Sequence, residues 1–82
     1  MFNKKSKLFS LSERKSYYEG IVTAREDFAS CKGDKKMINS CIKTRYGLRK
    51  LCKERGDKSG ISFQNGYLKY FSEKQNNKLP RS

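Results

Sequence analysis

The residues best equipped to do chemistry in this chain are the cations between Asp34 and Gly56, in the stretch DKKMINSCIKTRYGLRKLCKERG. Lys35, Lys36, Lys43, Arg45, Arg49, Lys50, Lys53 and Arg55 stand there against two acids, Asp34 and Glu54, a local balance of +6. The whole chain of 82 residues carries +12. Ammonium and guanidinium groups at that density bind anions, and a nucleic-acid backbone offers many anionic charges at short, regular intervals. These eight cations are therefore the candidate nucleic-acid-binding residues. Lys36, Lys43, Lys50 and Lys53 are expected to contact phosphates, with Arg45 and Arg49 beside them.

Other chemistries find little support. Histidine is absent, which removes the commonest general base. The chain holds no phosphate-cradling G-x-x-x-x-G-K-[ST], no nucleophile elbow G-x-S-x-G and no pair of acids at a recognisable catalytic spacing. Cys31, Cys41 and Cys52 lie ten and eleven residues apart, the wrong rhythm for a zinc finger, and their odd number argues against a disulfide scaffold. Cys52 has Lys53, Arg49 and Arg55 close by, which favours a thiolate, but its place on an apolar face favours a small core residue. The expectation is a non-enzymatic protein with no cofactor and no metal.

The elements that must carry these cations can be read from periodicity. Met37, Ile38, Cys41, Ile42, Leu48, Leu51 and Cys52 recur at three- and four-residue spacing, which predicts an amphipathic helix over 35–55. Asp34 can cap its start and Gly56 can close its end. A first helix is predicted over 12–31, with Ser12 as its cap, Gly33 as its stop and an apolar face of Tyr17, Tyr18, Ile21, Val22, Ala24, Phe28 and Ala29. Its charges nearly cancel, so it reads as a packing element, with Glu13, Glu19, Glu26 and Asp27 on a solvated face. Gly20 in its middle costs about 1 kcal/mol against alanine and calls for a neighbouring helix at close range. The link from Lys32 to Asp34 is short enough to make the two helices an antiparallel hairpin.

Arginines depart from this simple pattern. Arg14 and Arg25 fall within the Tyr17/Tyr18/Phe28 arc, and Arg45 and Arg49 fall between Cys52, Ile38 and Ile42. Arginine suits such half-buried places because its guanidinium is weakly hydrated and stacks on rings. Their stems can cover the core rim, or pair internally as Arg14 with Asp27. The functional alternative is a groove that offers Arg14, Arg25, Arg45 and Arg49, flanked by tyrosines, to phosphates or bases.

Residues 57–60, DKSG, read as a turn. After them ISFQNGYLKYF (61–71) admits two structures. Asn65-Gly66 between apolar runs signals a β-hairpin. Wound as a helix, the same residues also segregate, with Ser62 as the cap and an end near residue 75. SYYEGIV (16–22) and SFQNGYL (62–68) share a serine, an aromatic, a glycine four after the serine and two apolar residues, and this echo favours the helix. The predicted fold is all-α, three helices built on a helical hairpin, with two helices and a β-hairpin as the α+β alternative. Residues 1–11 read as a flexible basic arm, 12–76 as one small domain and 77–82 as a disordered tail.

LRKLCKERG (48–56) resembles the end of the first helix of repressor-type helix-turn-helix domains. That resemblance covers nine residues and implies two further short helices, for which the rest of the chain has no room. No run approaches the length of a membrane span, and the amino-terminal residues lack a signal-peptide core, so a cytoplasmic protein is expected. The favoured partner is DNA or RNA. The alternative is an accessory regulator, of the kind found in phages and plasmids, that docks on an acidic host protein. Membrane binding is set aside because the apolar face of the 35–55 helix is needed to close the core.

Overall fold

The structure, a computed structural model, describes residues 10–78. It is all-α: helix α1 spans Leu11–Cys31, α2 spans Lys35–Arg55 and α3 spans Lys58–Lys78, and no strand occurs among the described residues. The β-hairpin alternative for 61–71 is thereby overturned. Most of the expected basic arm and of the expected tail lies outside the described residues. Within them, Ser10 and Leu11 belong to the start of α1, and α3 continues to Lys78.

Local chemistry sets the helix ends. Ser10, not Ser12, caps α1: its hydroxyl accepts from the Glu13 N–H at 3.1 Å, and the Glu13 carboxylate accepts from the Ser10 N–H at 2.8 Å. This reciprocal capping box satisfies two backbone donors at once and gives Glu13 a structural role at the helix start. At the far end Lys32 (φ 51°) and Gly33 (φ 80°) both take the left-handed conformation. Asp34 caps α2 as expected, accepting from the N–H of Lys36 at 2.9 Å and of Met37 at 3.4 Å. Gly56 (φ 72°) closes it. The expected DKSG turn is instead the cap and first turn of α3. The Asp57 carboxylate accepts from the Gly60 N–H at 2.9 Å, and the Asp57 carbonyl accepts the first helical bond from Ile61. Ser62, the expected cap, is therefore already inside the helix and is buried. One uninterrupted helix follows Gly56, so the two short helices implied by the repressor-like fragment are absent.

The most extensive helix contact joins α1 to α3, and α3 also packs on α2. The consecutive pair α1 and α2, though joined by the expected short turn, touches least. The reason lies in two glycines. An ideal Cβ built on Gly20 would stand 2.0 Å from the Phe63 carbonyl oxygen, and one built on Gly66 would stand 2.1 Å from the Tyr17 carbonyl oxygen. Each glycine thus occupies the place where the other helix's backbone passes. The two heptapeptides that echo one another in sequence form this crossing. In each, the glycine receives the carbonyl of the aromatic residue that follows the serine of the other. Small residues let helix backbones approach this closely, and backbone C–H groups can then contact carbonyl oxygens. The Asn65-Gly66 pair is a helix-packing device here, not a turn.

The core beyond the crossing is small and aromatic. Ala24, Cys31, Ile38, Tyr67 and Phe71 are buried, with Phe28, Cys41, Ile42, Phe63 and Tyr70 packed against them. Tyr67 stacks on Phe71 at 4.9 Å between ring centroids, and Phe28 meets Phe71 edge-on at 5.4 Å. Gly47, in α2, is the opposite of Gly20 and Gly66: nothing lies within 4 Å of its would-be Cβ. Gly47→Ala is expected to stabilise the protein by up to about 1 kcal/mol, by helix propensity alone. Thermal denaturation should show a rise of roughly 4–8 °C for a domain of this size. A fall would mean that α2 is not a free-standing outer helix at this point.

Candidate nucleic-acid interface

Helix α2 turns two different faces outward and inward, and the candidate cations divide between them. On the inner face Ile38 is buried, and Cys41, Ile42, Arg45, Arg49 and Cys52 are half-buried. Arg45 lies over the Tyr67 ring, its guanidinium carbon 4.2 Å from the centroid, and 5.6 Å from that of Phe63. Its Nη1 donates to Gln64 Oε1 at 3.4 Å, and its Nη2 stands 3.9 Å from Asp27 Oδ2. The ion pair is long and the Asp27 side chain is 40% exposed, so it contributes little. The stacked rings, which exclude water from the guanidinium face, hold Arg45 more firmly. Arg49 is also turned inward, with Nε shut away from water and without a hydrogen-bond partner among the described residues. Both arginines are half-buried on the inner face, apart from the exposed cations. Asp27 pairs with Arg45 and Tyr67 rather than with Arg14 or with solvent alone.

Tyr67, Asp27 and Gln64 are the residues that sequence reasoning missed at this cluster. The Tyr67 hydroxyl donates to Asp27 Oδ2. Burial, helped by the adjoining carboxylate, pushes the Tyr67 phenol far above its ordinary value near 10, with Arg45 acting weakly the other way. The folded state therefore favours the neutral phenol. Its contribution to stability is complete below pH 10 and is lost as the pH rises beyond the value at which the unfolded phenol ionises. Tyr67→Phe leaves Asp27 with one partner and is expected to cost about 1.5–3 kcal/mol near neutrality. That deficit should shrink above about pH 10, because the wild type alone carries the Tyr67 phenol, whose ionisation in the unfolded chain draws stability away. Urea midpoints of both proteins across the alkaline range would show it, and parallel curves would contradict it.

The outer face of α2 carries the remaining candidates. Lys35, Lys36, Lys43, Lys50, Lys53 and Arg55 are all exposed, and none forms an ion pair among the described residues. Lys36, Lys43 and Lys50 are spaced by seven, which places them in one row along the helix. At a rise of about 1.5 Å per residue the row is roughly 21 Å long. Asn39, Tyr46 and Gly47 border it, and Tyr46 is 55% exposed. Of the two acids of the segment, Asp34 is engaged at the cap and Glu54 sits past the end of the row. Lys53 and Arg55 occupy the last turn, where the helix dipole favours cations.

On the other edge of α2, Met37, Leu48 and Leu51 are 47%, 37% and 53% exposed. They were expected to belong to the core stripe. Among the described residues α2 packs mainly on α3 and little on α1, so that stripe is covered along one side. The cysteines are free thiols. Burial, with Cys41 adjoining, pushes the Cys31 thiol above its ordinary value, the direction that makes a thiol unreactive. No group of three or more His, Cys, Asp or Glu side chains that could hold a metal occurs among the described residues. No helix among them is long and apolar enough to cross a membrane. Comparison with protein-family models, with curated proteins and with solved structures finds no match to this chain.

Proposed function

We propose that this protein is a non-enzymatic nucleic-acid-binding module that grips the phosphate backbone with the outer face of α2. One observation carries the reading. Lys36, Lys43 and Lys50 form an exposed row with no ion pair among the described residues, flanked by Lys35 and Lys53 on one side and with Arg55 at the carboxyl end on the Met37 edge, on a helix whose other side is anchored to α3. Cations with no ion pair among the described residues need break no internal pair to meet an external anion, and their repulsion is relieved when one arrives. Contacts to phosphate carry no base information, so the affinity from this face is electrostatic and weakly sequence-specific. Six such cations set an upper limit of about 5 on the logarithmic salt slope for a duplex and about 4 for a single strand.

The test is a titration against fluorescent duplex DNA, single-stranded DNA and structured RNA at two salt concentrations. Affinity tighter than about micromolar near physiological salt, with a preference among the three, supports the reading. Equal, loose binding that vanishes at moderate salt counts against it. A second reading, docking on an acidic protein, draws on the exposed Met37, Leu48 and Leu51 next to the lysine row. That pairing of apolar stripe and cations suits an acidic amphipathic helix. Failure in the nucleic-acid titration would bring it forward.

A further inference from the structure

Beside the Gly66 crossing, along the amino-terminal half of α1, a cleft of about 320 Å³ opens between α1 and α3. It is lined by Glu13, Arg14, Tyr17, Tyr18, Ser62 and Asn65. None of its walls comes from α2. We propose that this cleft binds a nucleotide, with the base against the Tyr17 and Tyr18 rings and the phosphate on Arg14. The proposal goes beyond the role of the lysine row and stands on a separate surface.

Four features point to that ligand. The walls are mostly apolar and the volume is at the lower end for ligand pockets, with a few polar groups converging on the space. Tyr17 and Tyr18 meet edge-to-face at 6.1 Å, and Tyr18 is 66% exposed. Two phenol rings set at an angle offer one face for stacking and one edge to close the slot. Asn65 has a donor and an acceptor side by side on its carboxamide, the arrangement that matches the hydrogen-bonding edge of a base. Arg14 is exposed and makes no ion pair among the described residues, so its planar fork is open to phosphate. Glu13 does not oppose an anion at Arg14 as strongly as its charge suggests, because its carboxylate is engaged by the Ser10 N–H.

The sequence placed Arg14 among four arginines of a possible tyrosine-flanked groove. In the folded chain Arg14 lines this cleft with Tyr17 and Tyr18, and the other three arginines do not. Arg45 and Arg49 face the core, and Arg25 is exposed on α1 outside the cleft.

The experiment is an amide and side-chain NMR titration of the full chain with AMP, GMP, CMP and UMP, and with inorganic phosphate as the charge-only probe. The expected result is a shift pattern confined to the cleft residues, Arg14 together with Tyr17, Tyr18, Ser62 and Asn65, for at least one nucleotide, and no shift of Tyr17, Tyr18 and Asn65 for phosphate. Tyr18→Ala, at an exposed position, should keep the helical spectrum and weaken nucleotide binding roughly five- to hundredfold. A variant with Lys36, Lys43, Lys50 and Lys53 changed to glutamine should keep the nucleotide shifts, even if it loses every longer polyanion. This separates the cleft from the lysine row. A short single-stranded RNA identifies the source: equal weakening by Tyr18→Ala for RNA and nucleotide assigns the cleft to a base of a strand, and weakening for the nucleotide alone assigns it to a free nucleotide. The proposal is overturned if none of the four shifts the cleft residues at about 10 mM, far beyond millimolar affinity. It is equally overturned if the shifts map to α2 or are unchanged in Tyr18→Ala.

Discussion

Alanine at Gly66 is expected to cost about 3 kcal/mol of stability, although alanine is the better helix former. In an exposed helix the change would gain about 1 kcal/mol. Here the new methyl would stand 2.1 Å from the Tyr17 carbonyl oxygen and 3.1 Å from its carbon. Those are backbone atoms of a packed helix, so no side-chain rotation can relieve the clash, and α1 and α3 must separate. Overpacking typically costs 1–3 kcal/mol and sometimes more, and a contact with backbone on both sides belongs at the upper end. A domain of about 70 residues has roughly 3–10 kcal/mol to lose. Gly20→Ala, with its Cβ 2.0 Å from the Phe63 oxygen, should behave alike. The two together should cost less than the sum, because the first separation relieves the second clash. Thermal and urea denaturation of the four proteins would test this. Equal or higher stability in either single variant would mean that the close crossing does not exist in solution.

The second large effect is on binding. Changing Lys36, Lys43, Lys50 and Lys53 to glutamine should lower the logarithmic salt slope by about 3.6 on duplex DNA, or about 2.8 on a single strand. Each lysine that neutralises one phosphate contributes about one counterion released. The fold should survive, since all four side chains are exposed, none is ion-paired among the described residues and glutamine matches lysine in helix propensity. A circular dichroism melt identical to wild type makes the binding change interpretable. An unchanged slope would remove α2 from the interface, whatever the affinity did. Arg45→Gln should act in the reverse manner, harming the fold through loss of its stack on Tyr67 and leaving the salt slope nearly untouched.

The division between what was legible and what was not follows the range of the interactions. Helix α2 was legible to the residue because everything that defines it is local. Its apolar repeat, the Asp34 cap and the Gly56 stop act within four residues. The start of α1 is just as local, a capping-box spacing in Ser10-Leu11-Ser12-Glu13, but Ser12 was the expected cap and the pairing of Glu13 with Ser10 was missed. The exposed lysine row was legible too, because a seven-residue spacing on a helix gives one face whatever the helix packs against.

Tertiary structure decided the rest. Asn65-Gly66 is compatible with a tight turn and with a helix, and the choice depends on Tyr17, nearly fifty residues earlier, whose carbonyl needs the space that only glycine leaves. The echo between 16–22 and 62–68 showed that the segments are alike but not that they touch. Arg45 read both as a half-buried rim residue and as a cation beside the lysines, and only the packing of Tyr67, Phe63 and Gln64 around it decided for the first. The Met37, Leu48 and Leu51 edge stayed in solvent because α1 chose α3 as its partner over α2. A sequence specifies which side of each helix is apolar. Which apolar sides meet, and which clefts open between them, depends on how closely two backbones can approach, and here two glycines set that distance.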